Sequence, residues 1–457
     1  MTKQIIILIS IALFAASPTA AQTLVTPGDG TLAAAIAAAA PGDILQLAGG
    51  GEYTHSSSSS SFATLNKSIT IQGEPGSSQK VVIRLAASVA PGSYYFFMIQ
   101  HGASLTLRGL DIFGTATTDT AKSLIRFDGK PTPAEAKCRT IRIEDCLIHD
   151  FSDYIIHGNV QSTMQGMVND SLIINNIVAY HAKTFLGYSY VSLGYFELKN
   201  STIYGFSSLG IKIGNEPYRK TKITPTAFID HCTFDNFGGT DPAMDYKGII
   251  EVKDYYFPWT ITNSIFSNFQ DSTKTALNFK SPLAGAVTNV VNTCQWRCGV
   301  PPYTTEPLWP GFVFQDTVTI DPNHRDALNG DFTLPSGSPL LAFGPDGRPI
   351  GDPRWTTSGT SVNQNQNSSP GDYVLSQNYP NPFNPVTSIE FRVPSASQVR
   401  LTIFDLLGRE SATLMNDRKE AGIYSLQWDA SGYPSGMYFY QLTTGDFSTV
   451  GKMVLLK

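Results

Sequence analysis

The chain has 457 residues, with 32 Lys and Arg against 37 Asp and Glu and a formal net charge of −5. This length suits two domains, and the small acidic excess does not indicate nucleic acid as a partner. Glycine (39 residues) and proline (28 residues) are plentiful, which indicates many turns between short strands.

The N-terminus has the pattern of an export signal. Lys3 supplies a positive charge, residues 5–16 are apolar, and small residues precede a cleavage position near Ala21. The apolar run is too short to span a bilayer, and no later segment is a candidate for a membrane span. We therefore expect residues 1–21 to be a signal peptide, and the mature protein to be a monomer that works outside the cytoplasm.

The mature chain begins with a helix and a turn. The stretch LAAAIAAAAPGDILQLAGGGEY, residues 32–53, predicts a short Ala-rich helix, a Pro-Gly-Asp turn and a first strand. A solenoid needs a cap at its open end, and a helix of this kind supplies one.

The body of the chain is a repeat in which aliphatic and polar residues alternate and an Asn or a substitute follows. The motif begins at seven positions: Ile69, Leu105, Ile141, Leu172, Phe196, Ala227 and Trp259. Successive starts are 24 to 36 residues apart, and a repeat of this length indicates a solenoid. The period-two alternation predicts strands with one buried face. With three short strands per coil, residues 22–355 are predicted to form a right-handed parallel β-helix, which makes the chain an all-β protein.

One column of the repeat suits a structural role. It reads Gly73, Gly109, Asp145, Asn176, Asn200, His231 and Asn263. Its expected role is to turn the chain and to form hydrogen bonds between coils. The next column holds Cys146 and Cys232, three coils or about 14 Å apart, too far for a disulfide bond.

The helix, the turn and the repeat together resemble the pectin-lyase-like β-helix superfamily. The resemblance covers residues 31–355 and implies its fold. Residues 321–355, which contain GDFTLPSGSP and IGD, resemble the closing segment of secreted β-helices that handle polysaccharides. We expect this segment to close the structure and not to form a site.

A further strand in several coils has polar residues at matching positions. Aligning these strands gives one column of four polar residues: His157, Lys212, Glu251 and Asn278. Lys253 and Lys280 fall in a second column, one coil apart. We expect tyrosines to flank this charged outer face: Tyr188, Tyr190, Tyr195, Tyr246, Tyr255 and Tyr256. Cations and aromatic rings suit an acidic polysaccharide, because rings stack on sugars and Lys pairs with uronate carboxylates.

Lys253 and Lys280 suggest a reaction as well as binding. Uronate polysaccharides are cleaved by β-elimination, and a neutral Lys is a suitable base if neighbouring cations lower its pKa. The stretches EVKD, TNSIF and ALNFKS resemble the catalytic strands of polysaccharide lyase family six, the alginate and dermatan lyases. This resemblance implies that Lys253 is the base and that Lys280 stands where the family has an Arg acid.

The resemblance to family six also implies calcium. Tyr246 and Gly248 stand where the family has acidic calcium ligands, so Asp241, Asp245 and Glu251 are the candidate ligands in this chain. No other cofactor is expected. Two hypotheses remain open: a polysaccharide lyase that acts on an acidic glycan, and a non-catalytic β-helix that binds glycan through Lys212, His157, Glu251, Asn278, Tyr246 and Tyr255.

Two further cysteines leave a question open. Cys294 and Cys298, in CQWRC, are close enough in sequence to form a bridge, and the sequence decides neither for nor against it. No His accompanies them at zinc spacing.

The last part of the chain is a separate domain. Residues 356–372 are polar without apolar periodicity and predict a flexible linker. Residues 373–457 alternate with period two between turns and predict a small immunoglobulin-like β-sandwich. The strings YPNPFNP, VRLTIFDLLGRE and GMYFYQL resemble the type A sorting domain of the type nine secretion system. This resemblance implies that the type nine machinery is a partner and that the protein is secreted or held at the cell surface; a carbohydrate-binding sandwich is the alternative.

Overall fold

The computed structural model describes residues 20–56, 61–86, 94–100, 102–115, 120–127, 137–158, 167–188, 191–214, 226–238, 248–253, 258–269, 276–280, 287–299, 312–356, 374–375, 378, 383–393, 396–405, 409–420, 422–444 and 447–455. The chain divides into two compact units, Met1–Gly359 and Thr360–Lys457. Most of the predicted signal peptide and of the predicted linker lies outside the described residues.

The first unit is a right-handed parallel β-helix with three strand-bearing faces, called here the first, second and third sheets. The strands of the first sheet are Gln22–Val25, Ile44–Leu47, Ile69–Gly73, Leu105–Arg108, Lys137–Glu144, Met167–Asn175, Val191–Lys199, Thr226–Asp230, Trp259–Thr262, Thr288–Trp296 and Phe312–Val318. Those of the second sheet are Gly28–Asp29, Glu52–His55, Val81–Leu85, Leu110–Phe113, Leu147–His149, Val178–Tyr180, Thr202–Phe206, Thr233–Phe237 and Ile265–Phe269, and the last of these pairs with the end of Thr288–Trp296. Those of the third sheet are Ser61–Leu65, Tyr95–Ile99, Ser123–Phe127, Tyr154–His157, Thr184–Tyr188, Ile211–Ile213, Ile250–Lys253 and Leu277–Lys280.

The predicted helix caps the β-helix at Thr31–Ala38. It buries Leu32 and Ile36 against the first coil. The Pro-Gly-Asp turn follows, and the carboxylate of Asp43 accepts a hydrogen bond of 2.7 Å from the backbone N–H of Ala40. The helix thus shields the apolar end of the stack from water, as the sequence predicted.

The register of the repeat is confirmed. The seven motif starts are successive partners in the first sheet, from Ile69 opposite Leu105 to Ala227 opposite Trp259. The repeat also extends two strands beyond the predicted set, to Thr288–Trp296 and Phe312–Val318. Equivalent apolar residues therefore stack along the axis and form one continuous core, in which the rings of Phe234 and Phe266 are parallel with centroids 5.0 Å apart.

The predicted turn column is structural. Its left-handed residues have φ between 49° and 67° and are Gly109, Asp145, Asn176, Asn200, His231, Asn263, Asn292 and Asp316. Asn and Asp tolerate this conformation better than other side chains. Their amides also link coils, as where Nδ2 of Asn176 donates to Asp145 at 2.6 Å. Gly73, the first predicted member, does not share the positive φ.

All five cysteines are buried thiols, so Cys294 and Cys298 are not bridged. The Sγ of Cys294 lies 3.1 Å from the carbonyl of Ile320, and that of Cys298 lies 3.3 Å from the carbonyl of Trp296. Burial raises the pKa of the Cys294 thiol to about 11. These thiols are therefore packing residues and poor nucleophiles.

The closing segment, residues 321–355, folds back along the outside of the second sheet. Its short 3₁₀ turns are Ala327–Asn329, Pro339–Leu341, Pro345–Gly347 and Pro353–Trp355. Leu334, Leu340 and Ile350 pack against Ile265 and Cys294. The segment is anchored further back by Trp355, whose indole N–H donates to Thr202 Oγ1 at 2.7 Å. The expected closing role is thus carried out along the side of the β-helix.

The second unit is a β-sandwich of two antiparallel sheets. One contains Val374–Leu375, Val386–Val393 and Gly422–Asp429, and the other contains Ser397–Phe404, Glu410–Lys419, Gly436–Thr444 and Phe447–Leu455. Asn378 is buried and anchors the Asn- and Pro-rich segment, because its backbone N–H donates to Tyr440 at 3.0 Å and its Nδ2 donates to Thr387 at 2.8 Å. Phe383 packs against Trp428 in the same core. The described part of the chain contains no helix that could span a bilayer.

Candidate functional site

The third sheet carries the predicted polar column. Its register sets eight positions side by side across the strands: Thr64, Met98, Arg126, His157, Gly187, Lys212, Glu251 and Asn278. The four predicted members share this column, but Gly187 lies between His157 and Lys212. The comparison of the repeats within the sequence missed this position, because a glycine has no polar side chain to align with the others. Arg126 was missed as well.

Gly187 makes room for an aromatic ring. A Cβ atom at this position would overlap the ring of Tyr154. That ring stacks on His157 of its own strand, with centroids 4.3 Å apart and planes 8° from parallel. The gap in the polar column is therefore filled by Tyr154 from the preceding coil.

Glu251 and Asn278 depart from the expected solvated stripe. Their neighbours Ile250 and Leu277 belong to the core, and the alternation of the strand puts Glu251 and Asn278 on the opposite side. Even so, Glu251 is only 2% exposed and Asn278 only 6% exposed. The expectation of an open charged face is therefore wrong at these two positions, whereas His157 and Lys212 are half-buried.

Lys253 and Lys280 are direct register partners at the ends of their strands. Neighbouring strands lie about 4.8 Å apart, so the two lysine backbones are adjacent and lie two residues beyond the Glu251–Asn278 pair. The side chains of both lysines lie outside the described residues. So do the whole of Asp241, Asp245, Tyr246 and Tyr255, together with Tyr190 and Tyr256.

Two of the expected flanking tyrosines are placed elsewhere. Tyr188 points into the core with 0% exposure, where its hydroxyl accepts a hydrogen bond of 2.9 Å from Asn169. It has the inward parity of Leu186, which the alignment of aromatic residues alone did not reveal. Tyr195 belongs to the first sheet and donates to Glu197 at 2.6 Å. Neither tyrosine contributes to the face of the third sheet.

Of the predicted calcium ligands only Glu251 lies within the described residues, so the calcium site stays a prediction. Calcium takes six to eight oxygen ligands, and in the described part of this face only Glu251 and Asn278 place oxygen-bearing side chains side by side. No group of three His, Cys, Asp or Glu residues suited to a metal occurs within the described ranges. The described residues alone do not make a calcium site.

A second polar cluster lies on the second sheet and was missed by sequence reasoning. His149 binds two carboxylates, with Nδ1 2.7 Å from Asp150 and Nε2 3.2 Å from Asp111. Asp150 also contacts His181 at 3.1 Å. Rings stack along the same face in the order Phe113, His149, Tyr180 and Tyr204, with centroid separations between 4.7 and 5.1 Å.

This cluster predicts a pH dependence of stability. Burial opposes protonation of His149, but its hydrogen bonds to Asp111 and Asp150 and their charges outweigh burial and raise the pKa of His149. A raised pKa means that the stabilisation is complete below the ordinary value of about 6.5 and is lost as pH rises through the folded value. The free energy of unfolding should therefore fall by about 1 kcal/mol as the pH rises from about 6.5 through the raised pKa of His149. Urea denaturation across that pH range would measure this loss.

The matched test is His149→Gln against His181→Gln. His149→Gln should flatten the pH dependence, because the amide cannot be protonated. His181→Gln should leave it in place, because the His181 side chain is 61% exposed and Asp150 is its one carboxylate partner among the described residues. Equal slopes for wild type and His149→Gln would contradict this account.

The fold and the C-terminal unit define a class: an exported parallel β-helix protein with a sorting domain. A family model for the secretion system C-terminal sorting domain matches residues 377–456. The protein is therefore exported through the type nine secretion system, to the cell surface or into the medium. A second family model, a domain of unknown function (DUF5123), matches residues 227–355 and thus the C-terminal part of the β-helix.

Solved structures give partial likenesses. The alginate lyase AlyGC of family PL6 is 18% identical to this chain, with a TM-score of 0.42, and the match covers 67% of this chain and 39% of that protein. A point mutant of AlyGC is also 18% identical and has a TM-score of 0.45, and the match covers 69% of this chain and 40% of the mutant. The pectate lyase Pel9A is 11% identical, with a TM-score of 0.46 over 73% of this chain and 96% of that protein. The chain spans about two fifths of the length of the alginate lyase. No curated protein sequence matches the chain significantly.

Proposed function

We propose that the protein is an exported polysaccharide lyase that cleaves a uronate-containing polysaccharide by β-elimination on the third sheet. The observation that carries the proposal is the register partnership of Lys253 and Lys280 on adjacent strands. When the side-chain amines of two lysines on adjacent strands lie close together, the repulsion between their positive charges disfavours protonation of both. That effect favours a neutral lysine, which is the form that acts as a base.

The two lysines would have complementary roles. The lone pair of neutral Lys253 takes the proton from the carbon next to the uronate carboxylate, and the electron pair of the broken C–H bond forms a double bond to the following carbon. The bond to the glycosidic oxygen on the following carbon breaks. The ammonium of Lys280 gives a proton to that oxygen. Lys212, one strand before Glu251 in the polar column, would orient a substrate carboxylate.

Calcium is the second element of the proposal, with Asp241, Asp245 and Glu251 as ligands. A bound calcium ion would neutralise the substrate carboxylate and so make the adjacent carbon more acidic. Its contribution is tested by comparing rates after chelation and after adding calcium back.

The experiment is an elimination assay on the full chain. Alginate, pectate and dermatan sulfate would be offered with and without calcium, and ultraviolet absorbance would follow the unsaturated uronate that elimination creates. We expect a rise with at least one of the three. No rise with any of them would overturn the lyase proposal.

The second candidate is glycan binding without chemistry. The burial of Glu251 favours it, because a carboxylate shielded from solvent is poorly placed to hold a metal at the substrate. In that case acidic glycans would bind to the protein and remain intact, and the lysines would serve as contacts only.

A further inference from the structure

We propose that the third sheet carries a distal uronate-binding subsite, built from Arg126, Tyr95, Tyr154 and His157 and separate from the lysine pair. The proposal takes its ligand class, an acidic polysaccharide, from the proposed function. Arg126 stands four strand steps before Glu251 in the polar column, which corresponds to about 19 Å along the axis.

Arg126 is half-buried, and its guanidinium forms no ion pair with a carboxylate of the described residues. It lies 4.3 Å from the centroid of the Tyr95 ring, which holds it by a cation–π contact. Its Nε is buried and has no hydrogen-bond partner among the described residues. By contrast, the half-buried Arg84 and Arg142 each pair with a glutamate. A buried donor without a partner is costly, and a ligand carboxylate that pairs with the more accessible N–H groups of the same guanidinium would give the side chain the anion that it lacks among the described residues.

The neighbouring positions suit a sugar ring. Arg126 is the register partner of His157, on which Tyr154 is stacked. An aromatic side chain offers an apolar surface to the C–H groups of a pyranose ring. A uronate presents both features, an apolar ring face and a carboxylate.

Lys212 extends the subsite towards the lysine pair. It stands three strand steps from Arg126, about 14 Å along the axis. Within the described ranges it forms no ion pair with a carboxylate. The order along the axis is therefore Arg126, the stacked pair of Tyr154 and His157, Gly187, and Lys212. This order suits an extended acidic polysaccharide that is bound along several coils and ends near Lys253.

The test is binding by calorimetry with the full chain and defined probes: hexasaccharides of alginate, polygalacturonate and dermatan sulfate. Arg126→Gln should weaken the binding of the preferred acidic hexasaccharide by roughly tenfold, as expected for the loss of a charge-assisted hydrogen bond. Arg126→Lys should fall between, because it keeps the charge and loses the planar donor fork. The matched control is Arg348→Gln, at an exposed arginine of the closing segment, which should bind as wild type.

The outcomes separate this inference from the proposed function. If elimination is absent but Arg126→Gln still weakens binding, the subsite stands and the lyase proposal fails. If elimination is present and Arg126→Gln leaves both binding and KM unchanged, the subsite is overturned. Failure of all three hexasaccharides to bind wild-type protein would overturn it as well. Thermal unfolding of each variant establishes that a loss of binding is not a loss of fold.

Discussion

Lys253→Ala should lower the rate of uronate elimination by roughly 10²- to 10⁴-fold, the usual contribution of a general base. Lys253 ends a third-sheet strand whose core-facing residues are Ile250 and Val252. Removal of the amine should therefore leave the stack of coils intact while it removes the proton acceptor. The measurement is the initial rate of unsaturated uronate formation at saturating polysaccharide.

Two further variants sharpen this test. Lys80→Ala removes an exposed lysine outside the third sheet and should leave the rate unchanged. Lys280→Arg should retain activity, because a guanidinium also carries the positive charge that stabilises the developing oxyanion, whereas Lys280→Ala should not. A Lys253→Ala variant with the wild-type rate would remove Lys253 from the mechanism.

Asp352→Ala should destabilise the β-helix by about 3 kcal/mol. Asp352 is 1% exposed and accepts a hydrogen bond of 2.5 Å from Thr202, while its backbone N–H donates to Thr233 at 3.0 Å. Its carboxylate also pairs with Arg354. Burial raises the pKa of Asp352 although Arg354 opposes the shift. Its replacement would leave Arg354 without its carboxylate counter-ion and Thr202 without its acceptor, and would loosen the closing segment from the second sheet.

Urea denaturation followed by circular dichroism measures this effect. The transition of the sandwich provides an internal reference, because Asp352 belongs to the other compact unit. Asp352→Asn, which keeps the size and one acceptor oxygen, should cost less than Asp352→Ala. Equal stability of Asp352→Ala and wild type would show that the segment is held by its apolar residues alone.

The register of the β-helix and the identity of the sorting domain could be predicted from the sequence alone. Ile69, Leu105 and Ile141 were aligned by their motifs, and they are register partners in the structure. This succeeds because each coil repeats the same local requirement: period-two alternation for the strand and an Asn or Asp where the chain turns. The sorting domain was visible for a similar reason, since its motifs are short and contiguous.

Tertiary structure alone decided what surrounds the candidate site. Glu251 is almost fully buried although its strand alternation puts it opposite the core, and Tyr188 has core parity although tyrosines commonly line glycan-binding faces. His149 meets Asp111 from 38 residues away, and Asp352 meets Thr202 from 150 residues away. Such contacts produce no periodic pattern in the sequence, because they depend on how the coils stack and on where the closing segment packs against the second sheet. The sequence by itself thus determined the repeat, its direction and its route of export, whereas burial, ion pairing and the partners of Arg126 and His149 were settled only when distant coils came together.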